Sequence, residues 1–350
     1  MTRRDQIRHA IASTAARTLF RLPASWLARL AGPRPPGDAL DPQLAVLVRA
    51  SNALKLDAFD RLTPARARHH TGRSLPLLAG RRDPEVEVYE RTIAGPGGPL
   101  TLRIYTPRDI ARPAPAMLYL HGGGFVIGSL DTHDGPCSRF AALGRCVVLS
   151  LDYRLAPEHK FPAAVNDALA GFRWLADHAD ALGLDPRRLA VGGDSAGGNL
   201  SAVIAQTAVR DAWPVRPAFQ LLLYPALDMR RQHASHREFG DGYMLTTRSI
   251  DYFLDHYLRG PEDITDLRAS PLLAPDLSRL PPAYIATAGF DPLRDEGDEY
   301  AEHLCRAGVP AELARHAGLV HGFIALGAGI KAAGAAIDDA ARALRDALHT

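Results

Sequence analysis

The sequence predicts an α/β fold in which helices cover both faces of a mainly parallel sheet. Short apolar runs alternate with helical patterns over most of the chain after residue 116. Several of these runs are apolar throughout, which is typical of strands that are buried on both faces. The composition, 47% hydrophobic and 23% charged over 350 residues, suits one compact α/β core with an accessory layer.

The N-terminal part predicts two helices before any strand. Residues 1–30 carry apolar side chains at roughly helical spacing, and six arginines against one acid. We expect an amphipathic helix that covers the core, with a membrane-surface or transit segment as the alternative. A break rich in proline and glycine at 32–41 separates it from a second helix, expected from 42 to about 59.

Eight strands follow. The first two, 85–93 and 100–105, flank a turn of glycines and prolines and should pair as an antiparallel hairpin. The remaining strands are expected at 116–120, 146–151, 189–192, 219–224, 283–288 and 311–315. Helices that alternate with them are expected at 162–179, 196–209, 294–307 and from 323 to the C-terminus.

One interval interrupts this alternation. Residues 228–268 are polar, rich in His and Arg, and contain one aromatic helical stretch. We therefore divide the core into 85–227 and 269–350. The insertion 228–268 and the helical segment 1–84 are expected to pack together as a cap over the functional site.

A glycine-rich turn follows the strand at 189–192 and opens the next helix. Its sequence is Gly-Asp-Ser-Ala-Gly, centred on Ser195. A strand, tight turn and helix in this order form a nucleophile elbow, in which the helix N-terminus faces a developing anion. A plain turn with a helix-capping serine is the alternative that the pentapeptide alone leaves open.

A second glycine run, His121-Gly-Gly-Gly-Phe125, follows the strand at 116–120. Such a run supplies oxyanion-hole N–H groups, because glycines let the backbone approach a substrate oxygen. Neither glycine run has the G-x-G-x-x-G spacing or the lysine of a phosphate-binding loop, so nucleotide binding is not indicated.

A serine nucleophile needs a base, and the base needs a carboxylate. Asp291 follows the strand at 283–288, and His321 follows the last strand. The order Ser195, Asp291, His321 is typical of α/β-hydrolases. The other candidates are weaker: Asp194 is expected to bond within its turn, Asp295 and Glu296 to open a helix, His316 to lie at a strand end, and His121 to hold its own loop.

Five ordered motifs resemble the hormone-sensitive lipase family of bacterial esterases. They are His121-Gly-Gly-Gly-Phe125, Asp152-Tyr-Arg-Leu-Ala-Pro-Glu-His-Lys-Phe-Pro-Ala-Ala164, Gly193-Asp-Ser-Ala-Gly-Gly-Asn199, Asp291-Pro-Leu-Arg-Asp-Glu-Gly297 and His321-Gly-Phe323. The resemblance implies the α/β-hydrolase fold, with an eight-stranded, mostly parallel sheet and a helical cap. It implies a carboxylesterase that hydrolyses esters with short to medium acyl groups through an acyl-enzyme.

The same resemblance assigns further roles. The backbone N–H groups of Gly123, Gly124 and Ala196 would form the oxyanion hole. Phe125 is a candidate pocket wall, although an aromatic side chain there suits the core equally well. A homodimer through the edge strand near 311–315 is also implied. The first 40 or so residues match no motif.

Other partners and classes are not indicated. A net charge of +2 gives no electrostatic case for nucleic acid, and no apolar run approaches the roughly 20 residues of a membrane span. The cysteines Cys137, Cys146 and Cys305 are expected to be buried free thiols, without a disulfide framework or a thiolate zinc site. We expect a soluble, cytoplasmic protein that needs no metal or organic cofactor.

Two alternatives for the function stay open at this point. A small-molecule receptor on the same fold would have lost its catalytic histidine, whereas all three triad residues are present here. A hydrolase of amides, formamides or lactones would use the same oxyanion chemistry.

Overall fold

The computed structural model describes residues 22–32, 39–54 and 59–349, and an eight-stranded sheet forms its centre. The strands are β1 Val86–Gly95, β2 Gly98–Pro107, β3 Ala114–Leu120, β4 Val147–Asp152, β5 Leu184–Asp194, β6 Phe219–Leu223, β7 Ala283–Phe290 and β8 Ala311–Val320. Every residue of β3 and of β6 is buried, as their mainly apolar sequences predict.

The strand order is β1-β2-β4-β3-β5-β6-β7-β8. β1 and β2 form an antiparallel hairpin, β2 is also antiparallel to β4, and all other neighbours are parallel. The predicted α/β-hydrolase architecture and its eight strands are thus confirmed. β8 lies at the sheet edge and continues to Val320, five residues beyond its predicted end. The homodimer through this strand stays a prediction.

Helices cover both faces of the sheet. The α-helices are α1 Ala24–Ala31, α2 Pro42–Leu54, α3 Pro64–Ser74, α4 Pro76–Ala79, α5 Asp134–Gly144, α6 Ala163–His178, α7 Ala196–Arg210, α8 Ala234–Glu238, α9 Thr247–Tyr257, α10 Arg294–Arg306 and α11 Lys331–Leu348. α5 and α11 pack on one face, while α6, α7 and α10 pack on the other. α11 does so because its buried residues recur three and four positions apart, as in Ile337, Ala340, Ala341 and Leu344.

Among the described residues, four α-helices precede β1 where two were predicted, and α2 is observed as far as Leu54, against a predicted end near residue 59. Helix boundaries also differ from the predictions elsewhere. Of the predicted helix 1–30, α1 is observed, and residues 1–21 lie outside the described residues. The C-terminal helix begins later than predicted, because a short 3₁₀ turn, Phe323–Leu326, and two glycines precede α11. α5 was not predicted from the sequence, since Gly135 and Pro136 stand in its first turn. A helix tolerates proline there because those N–H groups have no partner within the helix.

The three cysteines are free thiols. Cys137 and Cys146 are buried, as expected. Cys305 is exposed on α10, so the expectation of burial is wrong for this residue. Within the ranges that the structure describes, none of the helices combines the length and the apolar character that crossing a membrane demands.

Candidate active site

Ser195 stands between the last residue of β5 and the first residue of α7. Its backbone has φ 54° and ψ −116°, a conformation that side-chain-bearing residues seldom adopt. Three hydrogen bonds hold it there. Its N–H donates to the Leu223 carbonyl at 2.8 Å, and its own carbonyl accepts from the N–H groups of Asn199 at 3.0 Å and Ala226 at 3.2 Å. Hydrogen bonds to the surrounding backbone therefore hold Ser195 in this strained conformation.

The turn is tight because α7 begins directly against the end of β3. A Cβ on Gly197 would overlap the backbone carbonyl of Leu120, so no side chain fits at this position. The predicted strand, turn and helix are thus present, and the N-terminus of a 15-residue helix starts at the serine. This arrangement brings the partial positive charge of the helix to the serine.

Ser195, His321 and Asp291 form one hydrogen-bonded line. His321 Nε2 lies 2.9 Å from Ser195 Oγ, and His321 Nδ1 lies 2.8 Å from Asp291 Oδ2. Asp291 is fully buried, and its other oxygen accepts the N–H of Leu293 at 2.8 Å. Because the carboxylate can only accept, it places the proton on Nδ1 and leaves Nε2 free to accept the serine proton.

The fold explains why three distant residues meet. Asp291 follows β7 and His321 follows β8, while Ser195 follows β5. These strands run parallel with β6 between them, so their carboxyl ends share one edge of the sheet. Ligand sites of open α/β sheets lie at that edge.

The glycine loop 122–124 follows β3 at the same edge. No described residue accepts a hydrogen bond from the N–H of Gly123, Gly124 or Ala196. All three residues line the cavity that contains Ser195 and His321. The three N–H groups that the family resemblance assigns to the oxyanion hole therefore have no acceptor among the described residues.

Asp194 has a larger role than the turn bonding expected of it. Its Oδ1 accepts from the N–H of Gly122 at 2.8 Å and from the hydroxyl of Tyr119 at 2.8 Å, and it lies 3.1 Å from Nε2 of His133. A Cβ on Gly122 would overlap this carboxylate. The carboxylate therefore ties the glycine loop to the residue beside the serine, across 72 positions of sequence.

Electrostatic interactions stabilise the carboxylate of Asp194, which is only 4% exposed. Burial alone would raise its pKa, but the charge of His133 and the donated hydrogen bonds outweigh that effect and lower the pKa of Asp194. The sequence gives no signal for this contact, because Tyr119 and His133 lie outside the five motifs.

The other candidate histidines do not contact Ser195. His121 is fully buried, stacks on Tyr153 at 4.3 Å between ring centroids, and has Nδ1 2.9 Å from the Gly122 carbonyl, as expected of a residue that holds its loop. Burial, and then the neighbouring His133, lower the pKa of His121 to about 4. His316 lies in the middle of β8 because the strand continues to Val320, so its predicted place at a strand end is wrong.

A cavity of about 440 Å³ opens over the serine. Its wall is mainly apolar and comes from the N-terminal helices, the segment 228–268 and the core. The N-terminal helices and the segment 228–268 supply most of the covering side chains, among them Leu47, Phe59, Leu75, Leu78, Met244, Leu245, Ile250, Phe253 and Leu254. Phe125 also lines the cavity, but its ring stacks on Tyr257 with centroids 3.8 Å apart, so it belongs to the core as well.

Comparisons with known proteins agree with this geometry. A family model described as alpha/beta hydrolase fold matches residues 117–325. The chain is 45% identical over 298 residues to the carboxylic ester hydrolase LipN of Mycobacterium tuberculosis, covering 83% of this chain and 78% of that protein. It is 38% identical over 302 residues to an ethyl acetate hydrolase of Pseudomonas putida, covering 84% and 95%.

A solved structure gives the same result. The ester hydrolase EH1AB1 from the metagenome of Lake Arreo is 42% identical and superposes with a TM-score of 0.85, over 89% of this chain and all of that one. The family model spans the serine turn and the histidine loop. The chain therefore belongs to the hormone-sensitive lipase family of the α/β-hydrolase fold, and it is a carboxylic ester hydrolase.

Proposed function

We propose that the chain hydrolyses carboxylic esters through a covalent acyl-enzyme on Ser195. His321 accepts the serine proton as Oγ attacks the carbonyl carbon, and it returns that proton to the departing alcohol. Water then attacks the acyl-enzyme with His321 again as the base, which releases the acid and restores the serine. The observation that carries this proposal is the 2.9 Å contact between Ser195 Oγ and His321 Nε2.

Asp291 supports the histidine in this scheme. Its buried carboxylate, 2.8 Å from Nδ1, holds the ring in the tautomer that leaves Nε2 free and stabilises the imidazolium that forms. The N–H groups of Gly123, Gly124 and Ala196 receive the negative charge of the tetrahedral intermediate. No described residue accepts a hydrogen bond from them, which supports this role.

The substrates that we propose are esters with short to medium acyl groups. The cavity volume and its apolar wall suit an uncharged chain of a few carbons. Charged side chains that line it are engaged: Arg231 pairs with Asp251, and Asp228 pairs with Arg230. The relative from Pseudomonas putida is named for ethyl acetate, which is a short ester.

We further propose that residues 1–84 and 228–268 act as a cap over a core of residues 85–227 and 269–350. The covering side chains of both segments support this division. Phe125 would shape the wall between the cap and the glycine loop.

One set of assays tests the mechanism and the substrate class together. Nitrophenyl esters of increasing acyl length, with a matched anilide and a lactone, are compared for kcat/KM. We expect the highest values for short to medium esters and at least 100-fold lower values for the anilide. A preference for the anilide or the lactone would replace the ester assignment by one of the alternative acyl-transfer reactions.

The variant Ser195→Ala should lose activity on all of these substrates by about 10⁴-fold or more in kcat. Ser201→Ala is the matched control, because Ser201 is a buried serine of α7, the helix that begins after Ser195, and its hydroxyl donates to the Gly197 carbonyl. Near-native turnover by Ser195→Ala would contradict the proposed mechanism.

A further inference from the structure

A second cluster of ionisable side chains lies between α8 and α10. His233 and His236 stand three positions apart at the start of α8, and Glu296 and Glu299 stand three positions apart in α10. His236 Nε2 lies 2.7 Å from Glu296 Oε1, and His233 Nε2 lies 2.8 Å from Glu299 Oε2. None of these four residues belongs to the serine, histidine and aspartate line.

We propose that His233, His236 and Glu296 bind a divalent transition-metal ion of the Zn²⁺ class. One potential ligand atom from each of the three side chains lies within 4.8 Å of the other two. Two imidazoles and one carboxylate are a common zinc ligand set, which leaves one coordination position for water. His236 and Glu296 are 8% and 1% exposed, so an ion here would be held within the protein.

His233 provides an independent indication of a missing partner. Its Nε2 faces the carboxylate of Glu299, which places the ring proton on that nitrogen. Nδ1 then carries a free lone pair, and this atom is buried with no hydrogen-bond partner among the described residues. An acceptor of this kind is costly to bury, and a metal ion would satisfy it. A carboxylate on the opposite ring nitrogen is the usual support of a metal-bound histidine.

Glu296 is held as a fixed ligand would be. Its Oε2 accepts the backbone N–H groups of Leu227 at 2.6 Å and Asp228 at 3.0 Å, so Oε1 is the oxygen left for His236 or for an ion. The two carboxylates Glu296 and Glu299 would together balance the charge of a divalent ion.

Binding requires each pair of ligand atoms, now within 4.8 Å of one another, to change its separation by about 1.5 Å or less. Ligand atoms at the zinc distances of about 2.0 to 2.2 Å are separated by roughly 3.3 Å in a tetrahedral site. The pair His236 and Glu296, now 2.7 Å apart, would open by less than 1 Å. The histidines and Glu296 are about 60 positions apart in sequence, so no motif spacing reveals the cluster, and the sequence led us to expect no metal.

The expected role of the ion is structural. It would fasten α8, in the segment 228–268, to α10 of the core, beside the cavity that His236 and Glu296 also line. The site does not use Ser195, Asp291 or His321. Its existence is therefore independent of the proposed acyl-enzyme mechanism.

Zinc binding by the Ser195→Ala protein tests the proposal without any catalytic turnover. Protein stripped with a chelator is dialysed against Zn²⁺, and the retained metal and the melting temperature are measured. We expect one more zinc per chain than in the same protein carrying His233→Gln and His236→Gln, and a zinc-dependent rise in Tm that this variant lacks. Equal zinc retention with and without these two substitutions would overturn the proposal.

His303→Gln is the matched control. His303 lies on α10, 3.4 Å from Glu299, and could form a surface site with it. This variant should keep the bound zinc. Loss of zinc from His303→Gln, with retention by the variant that lacks His233 and His236, would assign the ion to the surface pair and overturn the proposal.

X-ray absorption at the zinc edge removes any dependence on how the double variant folds. On the zinc-loaded Ser195→Ala protein we expect nitrogen and oxygen ligands at about 2.0 to 2.2 Å, including two imidazoles. A site with no imidazole, or one with a single imidazole, would contradict the ligand set.

Discussion

The carboxyl edge of the sheet carries Ser195, His321 and the glycine loop 122–124. The cover above it, formed by the described residues of 1–84 and by 228–268, is organised differently. At the edge, hydrogen bonds from the backbone fix the loops of the site. The N–H of Ser195 donates to the carbonyl of Leu223, and the N–H of Gly122 donates to the carboxylate of Asp194. The cover contributes mainly apolar side chains, such as Phe253 and Leu78, packed around a cavity. This difference suggests that the edge determines the reaction and the cover determines which esters react. Substitutions in the two regions should therefore have different kinetic signatures.

The largest effects should come from the edge. His321→Ala removes the base, and Asp291→Asn favours the wrong tautomer, so each should lower kcat on the order of 10⁴-fold. The loss should be similar for every acyl length, because these residues act on the carbonyl and the alcohol oxygen alone. Steady-state kinetics over the nitrophenyl series measure it. His316→Gln, in the middle of β8, is the control and should keep its activity. A loss of kcat that varies strongly with acyl length would contradict the proposal that the edge determines the reaction and the cover determines which esters react.

Asp194→Asn should have the next largest effect. The change weakens the charge-assisted bond to the N–H of Gly122 and loosens the loop that presents Gly123 and Gly124. We expect kcat to fall roughly 10²-fold with little change in KM, since the loop acts on the transition state. Asp185→Asn is the control, because Asp185 is a buried carboxylate at the other end of β5. If KM rose while kcat stayed constant, Asp194 would not act through the oxyanion loop.

His121 makes the stability of the edge depend on pH. Burial lowers its pKa to about 4, below the value near 6.5 of the unfolded chain, so the unfolded state binds more protons in this range. The stabilisation is complete above pH 6.5 and is lost as the pH falls toward 4. The pKa difference corresponds to about 3 kcal/mol of unfolding free energy.

Urea unfolding between pH 4.5 and 7 measures this dependence. His121→Gln should show a smaller decrease in unfolding free energy over the range than the unmodified protein. His178→Gln should show the full decrease, because His178 is exposed on α6. An unchanged pH dependence in His121→Gln would show that other groups are responsible.

The smallest effect should come from the cover. Phe253→Ala enlarges the cavity beside Gly124, since the Phe253 ring fills the space next to that glycine. We expect kcat/KM for longer acyl esters to rise relative to short ones by about 10-fold, which corresponds to 1–2 kcal/mol of apolar contact. Tyr252→Ala is the matched control, because Tyr252 is equally buried on α9 but does not line the cavity. An equal loss of kcat/KM for all acyl lengths would show that Phe253 affects the reaction itself, as the edge residues are proposed to do.

The sequence predicts the strands and the serine, histidine and aspartate line, but not the long-range side-chain contacts. All eight strands could be located from apolar runs, and the residues Ser195, Asp291 and His321 from their positions after strands. These signals are local and lie at strand ends, where topology brings them together. The bond from Asp194 to Gly122 and the cluster of His233 with Glu296 join residues 60 or more positions apart. Side-chain contacts of this kind depend on packing that no local pattern records.

The most direct test of the account is the location of the acyl group during turnover. Protein mixed with a nitrophenyl ester is quenched in acid before deacylation is complete, and the intact mass and the digested peptides are measured. We predict that the protein gains one acyl group, carried by the peptide that contains Ser195, and that Ser195→Ala gains none. An acyl group on another residue, or an unmodified protein during active hydrolysis, would contradict the proposed acyl-enzyme mechanism.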